Sequence, residues 1–192
     1  GFKYIGEKIR EYEKSGKVYM VGGEESYGYL VGTHARDKDA VVSCCFIAEM
    51  AADSMAMGET LVDRLNNIYK RYGLFHESLL TIKKEGASGA EEIQEIIRKL
   101  REESPEALGG SQVVEIRDYK TGEIKDCRNG EVVGETGLPE SNVLLFRMED
   151  LSQVVVRPSG TEPKIKYYFG VRDTADLPVA SDEALEERRE VL

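Results

Sequence analysis

Apolar residues in the first stretch of the chain recur at spacings of three and four. Phe2, Ile5, Ile9 and Tyr12 share one side and Gly16 follows, which predicts an amphipathic helix over 2–15 with a glycine stop. The compact run Val18-Tyr19-Met20-Val21, closed by Gly22-Gly23, predicts a short strand. From Asp39 to Met57 the chain is apolar nearly all round, so a helix buried on most faces is expected there, with a sheet or other helices over it. Leu61, Leu65, Ile68 and Tyr72 mark the next helix, which stops at Gly73.

The texture changes after Gly86. Ser88-Gly89-Ala90-Glu91 has the form of a capping box, Ile93, Ile96, Ile97 and Leu100 follow at helical spacing, and Pro105 lies past the end. Beyond Gln112 the apolar runs are short: Val113 to Ile116, Val143 to Phe146, Val154 to Val156 and Ile165 to Phe169, with turn signals at Thr121-Gly122 and Asn129-Gly130. Ser181 opens a final charged helix. The expected architecture is therefore an α/β unit over 1–84 that lacks opening strands, then a small α+β unit over 85–192 with a mostly antiparallel sheet.

Composition narrows the function classes. A chain of 192 residues with 41% apolar and 32% charged residues is a globular composition with room for two small domains. The formal net charge of −10 argues against broad nucleic-acid or membrane-surface binding, so any phosphate site has to be a local basic cluster. No stretch approaches the roughly 20 apolar residues of a membrane span. Cys44 and Cys45 are adjacent in an apolar run and Cys127 stands apart, a pattern that suits buried thiols in a reducing, cytoplasmic compartment better than a disulfide framework or a metal site.

Three segments carry residue types suited to chemistry. In Gly22-Gly23-Glu24-Glu25-Ser26-Tyr27-Gly28, glycines allow a sharp turn and close approach to a ligand, while carboxylates and a hydroxyl suit vicinal sugar hydroxyls; an acidic surface turn uses the same letters. In His34-Ala35-Arg36-Asp37-Lys38-Asp39, cations and an imidazole meet a helix start, where a capped, solvated helix end is the plain alternative. The third, Arg157-Pro158-Ser159-Gly160-Thr161-Glu162-Pro163-Lys164, lies between two strands. Its glycine turn offers backbone N–H groups, Ser159 and Thr161 add hydroxyls, and Arg157 presents a planar fork that matches phosphate oxygens. Lys166 lies two residues beyond Lys164 and shares its face, away from Ile165 and Tyr167. His76 is isolated in a connecting segment, and the acidic runs at 101–106 and 182–190 read as solvated surface.

These three segments, in this order, resemble the α-D-phosphohexomutases of the phosphoglucomutase/phosphomannomutase family. The resemblance covers the whole chain and implies domains 3 and 4: a partial α/β/α mixed-sheet domain followed by a TATA-binding-protein-like α+β domain. It implies that Glu24, Ser26, His34 and Lys38 meet the sugar, with Glu25 at a position the family varies. It also implies that Arg157, Ser159, Gly160, Thr161 and Lys166 hold the phosphate, in a socket facing the acidic turn around Glu24. Lys166 stands where an arginine is often found.

In the family, a phosphoserine in the first domain and an aspartate loop binding Mg2+ in the second complete the cleft. Neither motif occurs in this sequence, so no catalytic residue and no metal ligand is expected here. The implied reaction interconverts hexose 1-phosphate and hexose 6-phosphate through a 1,6-bisphosphate such as glucose 1,6-bisphosphate. The implied partners are a phosphorylated hexose and domains 1 and 2 of the same protein, with no nucleic acid and no membrane. A severed part would bind phosphosugars weakly and catalyse nothing, whereas a stand-alone phosphosugar-binding regulatory module would bind tightly.

Overall fold

A computed structural model describes residues 1–24 and 26–191. The chain divides into two compact units, Gly1–Asn67 and the remainder from Ile68. The first contains α1 (Phe2–Ser15), the hairpin strands β1 (Val21–Gly23) and β2 (Tyr29–Val31), α2 (Ala40–Ala56) and the start of α3 (Leu61–Tyr72). Phe2 and Ile9 of α1 pack with Tyr19 and Leu30, and Gly16 closes the helix in the left-handed conformation at φ 72°. Gly6 sits inside α1, where glycine costs about 1 kcal/mol against alanine. The geometry gives the reason: a Cβ there would lie 2.9 Å from the carbonyl oxygen of Arg36, so the helix and the 33–38 loop meet backbone to side.

Two expectations for this unit change. The strand is Val21–Gly23, later than the apolar run 18–21, because Tyr19 turns inward and its hydroxyl donates to the Leu30 carbonyl at 3.1 Å while Val18 and Met20 stay exposed. The apolar helix α2 is also much less covered than its pattern requires. Of its residues only Ser54 is buried, and Val41, Phe46, Ile47, Met50 and Met55 face solvent, since what packs on it in this unit is the short hairpin on one side.

The second unit is α+β. It adds β3 (Leu74–Lys83), α4 (Gly86–Glu102), β4 (Ala107–Leu108), β5 (Ser111–Asp118), β6 (Glu123–Asp126), β7 (Val132–Glu135), β8 (Leu144–Met148), β9 (Gln153–Pro158), β10 (Lys164–Asp173) and α5 (Asp182–Val191). Among the described residues the sheet runs β3-β10-β9-β8-β5-β6-β7, β4 pairs with β5, and every pairing is antiparallel. Ile93 and Ile97 of α4 bury one face against Val113, Ile116, Leu144, Phe146, Val154, Val156 and Ile165. Strand alternation sends Arg157, Lys164 and Lys166 to the other face.

Here too the structure corrects the sequence reading. His76, expected in a connecting segment, lies instead in a ten-residue edge strand, Leu74–Lys83, opposite Val171. That strand belongs to the second unit's sheet, so the division near residue 84 is earlier in the structure. Helix α4 begins at Gly86 and its N-cap Glu85 makes no side-chain cap bond, which leaves Ser88 inside the first turn. Gly89 explains the tight start: a Cβ there would stand 2.6 Å from the Lys84 Cβ. Ser181 does cap α5, accepting from the Ala184 amide at 3.2 Å, and Leu185 buries against Leu74 and Val179.

One ion pair ties α4 to the sheet. Arg101 donates from Nε to Asp118 Oδ2 at 2.6 Å and from Nη2 to Asp118 Oδ1 at 3.2 Å and to Asn142 Oδ1 at 3.0 Å. Asp118 is 8% exposed.

Candidate functional site

The candidate residues form two clusters, one in each unit. In the first, the β1–β2 hairpin is closed by the Glu24 amide donating to the Gly28 carbonyl at 2.9 Å and the Tyr27 amide to the Glu24 carbonyl at 3.1 Å. Tyr27 takes a left-handed φ of 65° to make this turn, leaving Ser26 and Tyr27 exposed at the tip and Glu24 half-buried. Gly28 is needed for space, because a Cβ there would lie 2.7 Å from Lys38 Cδ and 3.0 Å from a Glu24 carboxylate oxygen. Glu24 and Lys38 therefore come together over Gly28. Asp37, donated to by Lys38 Nζ at 3.0 Å, and secondarily Glu24 hold the Lys38 ammonium above its ordinary range. Glu25 lies outside the described residues.

Asp39 ties the second motif together. Its Oδ1 caps α2 by accepting from the amides of Val41 at 2.8 Å and Val42 at 3.1 Å, and its Oδ2 meets His34 Nε2 at 2.9 Å. The His34 contact first, then the Val42 and Val41 amides, hold the Asp39 carboxyl below its ordinary value. It is thus an acceptor at neutral pH, so His34 donates from Nε2 and its Nδ1 lone pair is the one left for a ligand. Neutral His34 is expected to carry its proton on Nε2, and Asp39→Ala to mix the two tautomers. With only two histidines in the chain, 15N imidazole spectra resolve the difference, and the same tautomer balance in both proteins would refute the orienting role. The depressed pKa also sets a sign: this carboxylate's stabilising contribution is present above about pH 3.9 and is lost as pH falls through the lower folded value.

The second cluster surrounds the β9–β10 turn. The Ser159 amide donates to the Lys164 carbonyl at 2.8 Å, so it is committed to the turn. The Thr161 and Glu162 amides converge on the Ser159 hydroxyl oxygen at 3.4 and 3.3 Å. These are long contacts, and a phosphate oxygen is a stronger acceptor that can take the hydroxyl's place. The expected concavity of N–H groups is thus already folded around one oxygen.

The cations stand beside it. The Arg157 side chain is exposed and makes no hydrogen bond or ion pair among the described residues, and Arg157 lies directly across the strands from Lys166. The Lys166 ammonium sits 6.0 Å from the Tyr168 ring centroid. Lys164 pairs with Glu162, which is held below its ordinary range by Lys164 first and by Lys83 and Lys166 as well. The sequence reading missed β3's share: Lys83 falls opposite Lys164 and Thr81 opposite Lys166. Alternation in Leu80-Thr81-Ile82-Lys83 was the available signal, hidden because the segment was read as a connector.

A cavity of about 560 Å³ lies on the α4 side of the same turn, lined by Glu91, Gln94, Glu95, Arg98 and Ser159–Pro163. It is not where an anion belongs, since Arg98 is already held by Glu95 and Glu102 and the other charged groups there are carboxylates. The cation-bearing face is the candidate phosphate site. Among the described residues no group of three His, Cys, Asp or Glu side chains is placed to hold a metal ion.

A cation-flanked turn in an antiparallel α+β unit, preceded by an acidic, hydroxyl-bearing hairpin in a first unit, makes this a mixed α/β protein of two units. Comparison with known proteins places it further. Residues 1–72 match the phosphoglucomutase/phosphomannomutase alpha/beta/alpha domain III, and residues 82–186 match the phosphoglucomutase/phosphomannomutase C-terminal domain. The chain belongs to the phosphoglucomutase/phosphomannomutase family. It is 38% identical over 171 residues to a phosphoglucomutase of Staphylococcus epidermidis and 34% identical over 172 residues to one of Staphylococcus aureus. Those alignments take in 89% and 90% of this chain and 31% of each relative's length. Its fold also matches the open form of pp63/parafusin, a phosphoglucomutase from Paramecium, with a TM-score of 0.58 and 19% identity over 100% of this chain and 31% of the other.

Proposed function

We propose that this chain supplies the sugar-reading and phosphate-holding part of a phosphohexomutase, an isomerase that interconverts hexose 1-phosphate and hexose 6-phosphate through a 1,6-bisphosphate. The observation that supports it most directly is the cation face beside the Ser159 turn. Arg157, Lys164 and Lys166 gather there in a chain of net charge −10, and Arg157 has no partner among the described residues. Arg157, Ser159, Gly160, Thr161 and Lys166 bind the phosphate; Glu24, Ser26, His34 and Lys38 read the sugar hydroxyls. Flexible cations and backbone donors suit a clamp that must accept the phosphate in either orientation of the bisphosphate.

The phosphoryl donor and the Mg2+ ligands that the family implies are not among this chain's motifs. We assign them to the portion of the relatives that this chain does not span, and the compartment to the cytoplasm. Inorganic phosphate at constant ionic strength is expected to shift amide resonances across Ser159–Lys166. Glucose 1-phosphate is expected to shift these and also those of Glu24, Ser26 and Lys38. The chain alone is expected to show no turnover in a coupled mutase assay containing glucose 1,6-bisphosphate. Unmoved Ser159–Lys166 resonances would refute the reading, and tight binding by the chain alone would favour a regulatory module instead.

A further inference from the structure

We propose that Lys83 of β3 is a further cation of the phosphate socket, contributed by the strand that enters the second unit. The inference rests on reading the Arg157–Lys166 face as the phosphate site and adds to it a residue outside the loop motif. Strand register is the first argument. β10 is flanked by β9 on one side and β3 on the other, so Lys166 has Arg157 and Thr81 as its two neighbours, and Lys164 has Lys83. Because residues two apart on a strand share a face, Lys83 and Thr81 point to the same side as Lys164, Lys166 and Arg157.

Electrostatics is the second argument. The Lys83 and Lys166 ammonium groups both act on the Glu162 carboxyl in the turn, after the direct contact from Lys164. Three cations, Lys164, Lys83 and Lys166, thus act on one carboxylate. Like charges directly opposite each other across strands oppose folding, and Lys83 facing Lys164 is such a pair, which a bound dianion would turn from repulsion into shared attraction.

The position is also anchored. The amide of Lys84 donates to the Pro163 carbonyl at 2.8 Å, which fixes the end of β3 against the end of the turn. Lys84 itself is diverted to the helix side, where its ammonium pairs with Glu92 of α4 at 2.8 Å. Of the two adjacent lysines, only Lys83 is therefore aimed at the phosphate face. Thr81 places a hydroxyl on the same row, two residues back.

The test titrates inorganic phosphate into the full chain at constant ionic strength, following the Ser159–Lys166 amides by NMR. Lys83→Gln is expected to raise the dissociation constant roughly three- to tenfold, the range between an exposed ion pair and a charge-assisted hydrogen bond. Lys83→Arg should restore most of the affinity. Lys99→Gln, an equal charge change on exposed α4, should alter it little, and this pattern supports the proposal. If Arg157→Ala weakens binding while Lys83→Gln matches Lys99→Gln, the Lys83 assignment is overturned and the socket stands. If neither Arg157→Ala nor Lys83→Gln has an effect, the phosphate reading itself fails and takes this one with it.

Discussion

Arg157→Ala is expected to raise the dissociation constant of this chain for glucose 1-phosphate roughly ten- to a hundredfold, the worth of one or two hydrogen bonds to a charged group. The guanidinium carries no internal partner among the described residues, so nothing in the fold is unpaired by its removal and the effect falls on the ligand. Its strand position fixes it beside Lys166, whose charge remains in the variant. Arg157→Lys separates charge from shape. A lysine keeps the charge and loses the planar fork, so it should recover part of the affinity but not the two parallel contacts that a phosphate accepts from arginine. Thermal unfolding without ligand should be nearly unchanged, and the stabilisation by added glucose 1-phosphate should shrink in step with affinity. Calorimetry that finds the alanine variant binding as well as the parent would remove Arg157 from the site.

How much of this was legible in the sequence depended on whether a signal was local. Helix α1, with its apolar stripe and its glycine stop, and α5, with Ser181 ahead of it, satisfy their own ends and could be read directly. The cations, hydroxyls and glycine of the β9–β10 turn were also readable, because they lie in ten consecutive residues. β3 was not. Its residues alternate poorly, with Leu79 and Leu80 adjacent and exposed, and its identity as a strand comes from β10, more than eighty positions away.

The same dependence explains the start of α4. Ser88 carries the letters of a cap, yet the backbone at Gly89 packs so closely on Lys84 that the helix is already under way. Lys83 was missed for the reason that β3 was missed: the alternation around it is only four residues long, and β10 is what makes that short run part of a strand. For α2 the apolar pattern predicts burial on most faces, and this expectation fails because the hairpin beside it covers only part of the helix.

Asp118→Ala is expected to destabilise the second unit by about 3 kcal/mol, because it leaves the Arg101 guanidinium partly buried without its carboxylate. Asp118 ends β5 on the α4 side of the sheet. Besides Arg101 it accepts from the Lys120 amide at 2.9 Å, so one side chain joins helix, strand and the following turn. Asn142 offers Arg101 a second acceptor at 3.0 Å and donates onward to Gln94 at 3.4 Å, which softens the loss without supplying a charge. Asp118→Asn should therefore cost less than alanine, since an amide oxygen still accepts. The pair Arg101→Met with Asp118→Leu should be milder than Asp118→Ala alone, because it removes both charges and the cost of desolvating them. These differences are read as shifts in the denaturant midpoint at constant slope. A midpoint for Asp118→Ala within the range of an ordinary surface change, about 0.5 kcal/mol, would mean that α4 is held on the sheet by its isoleucines alone.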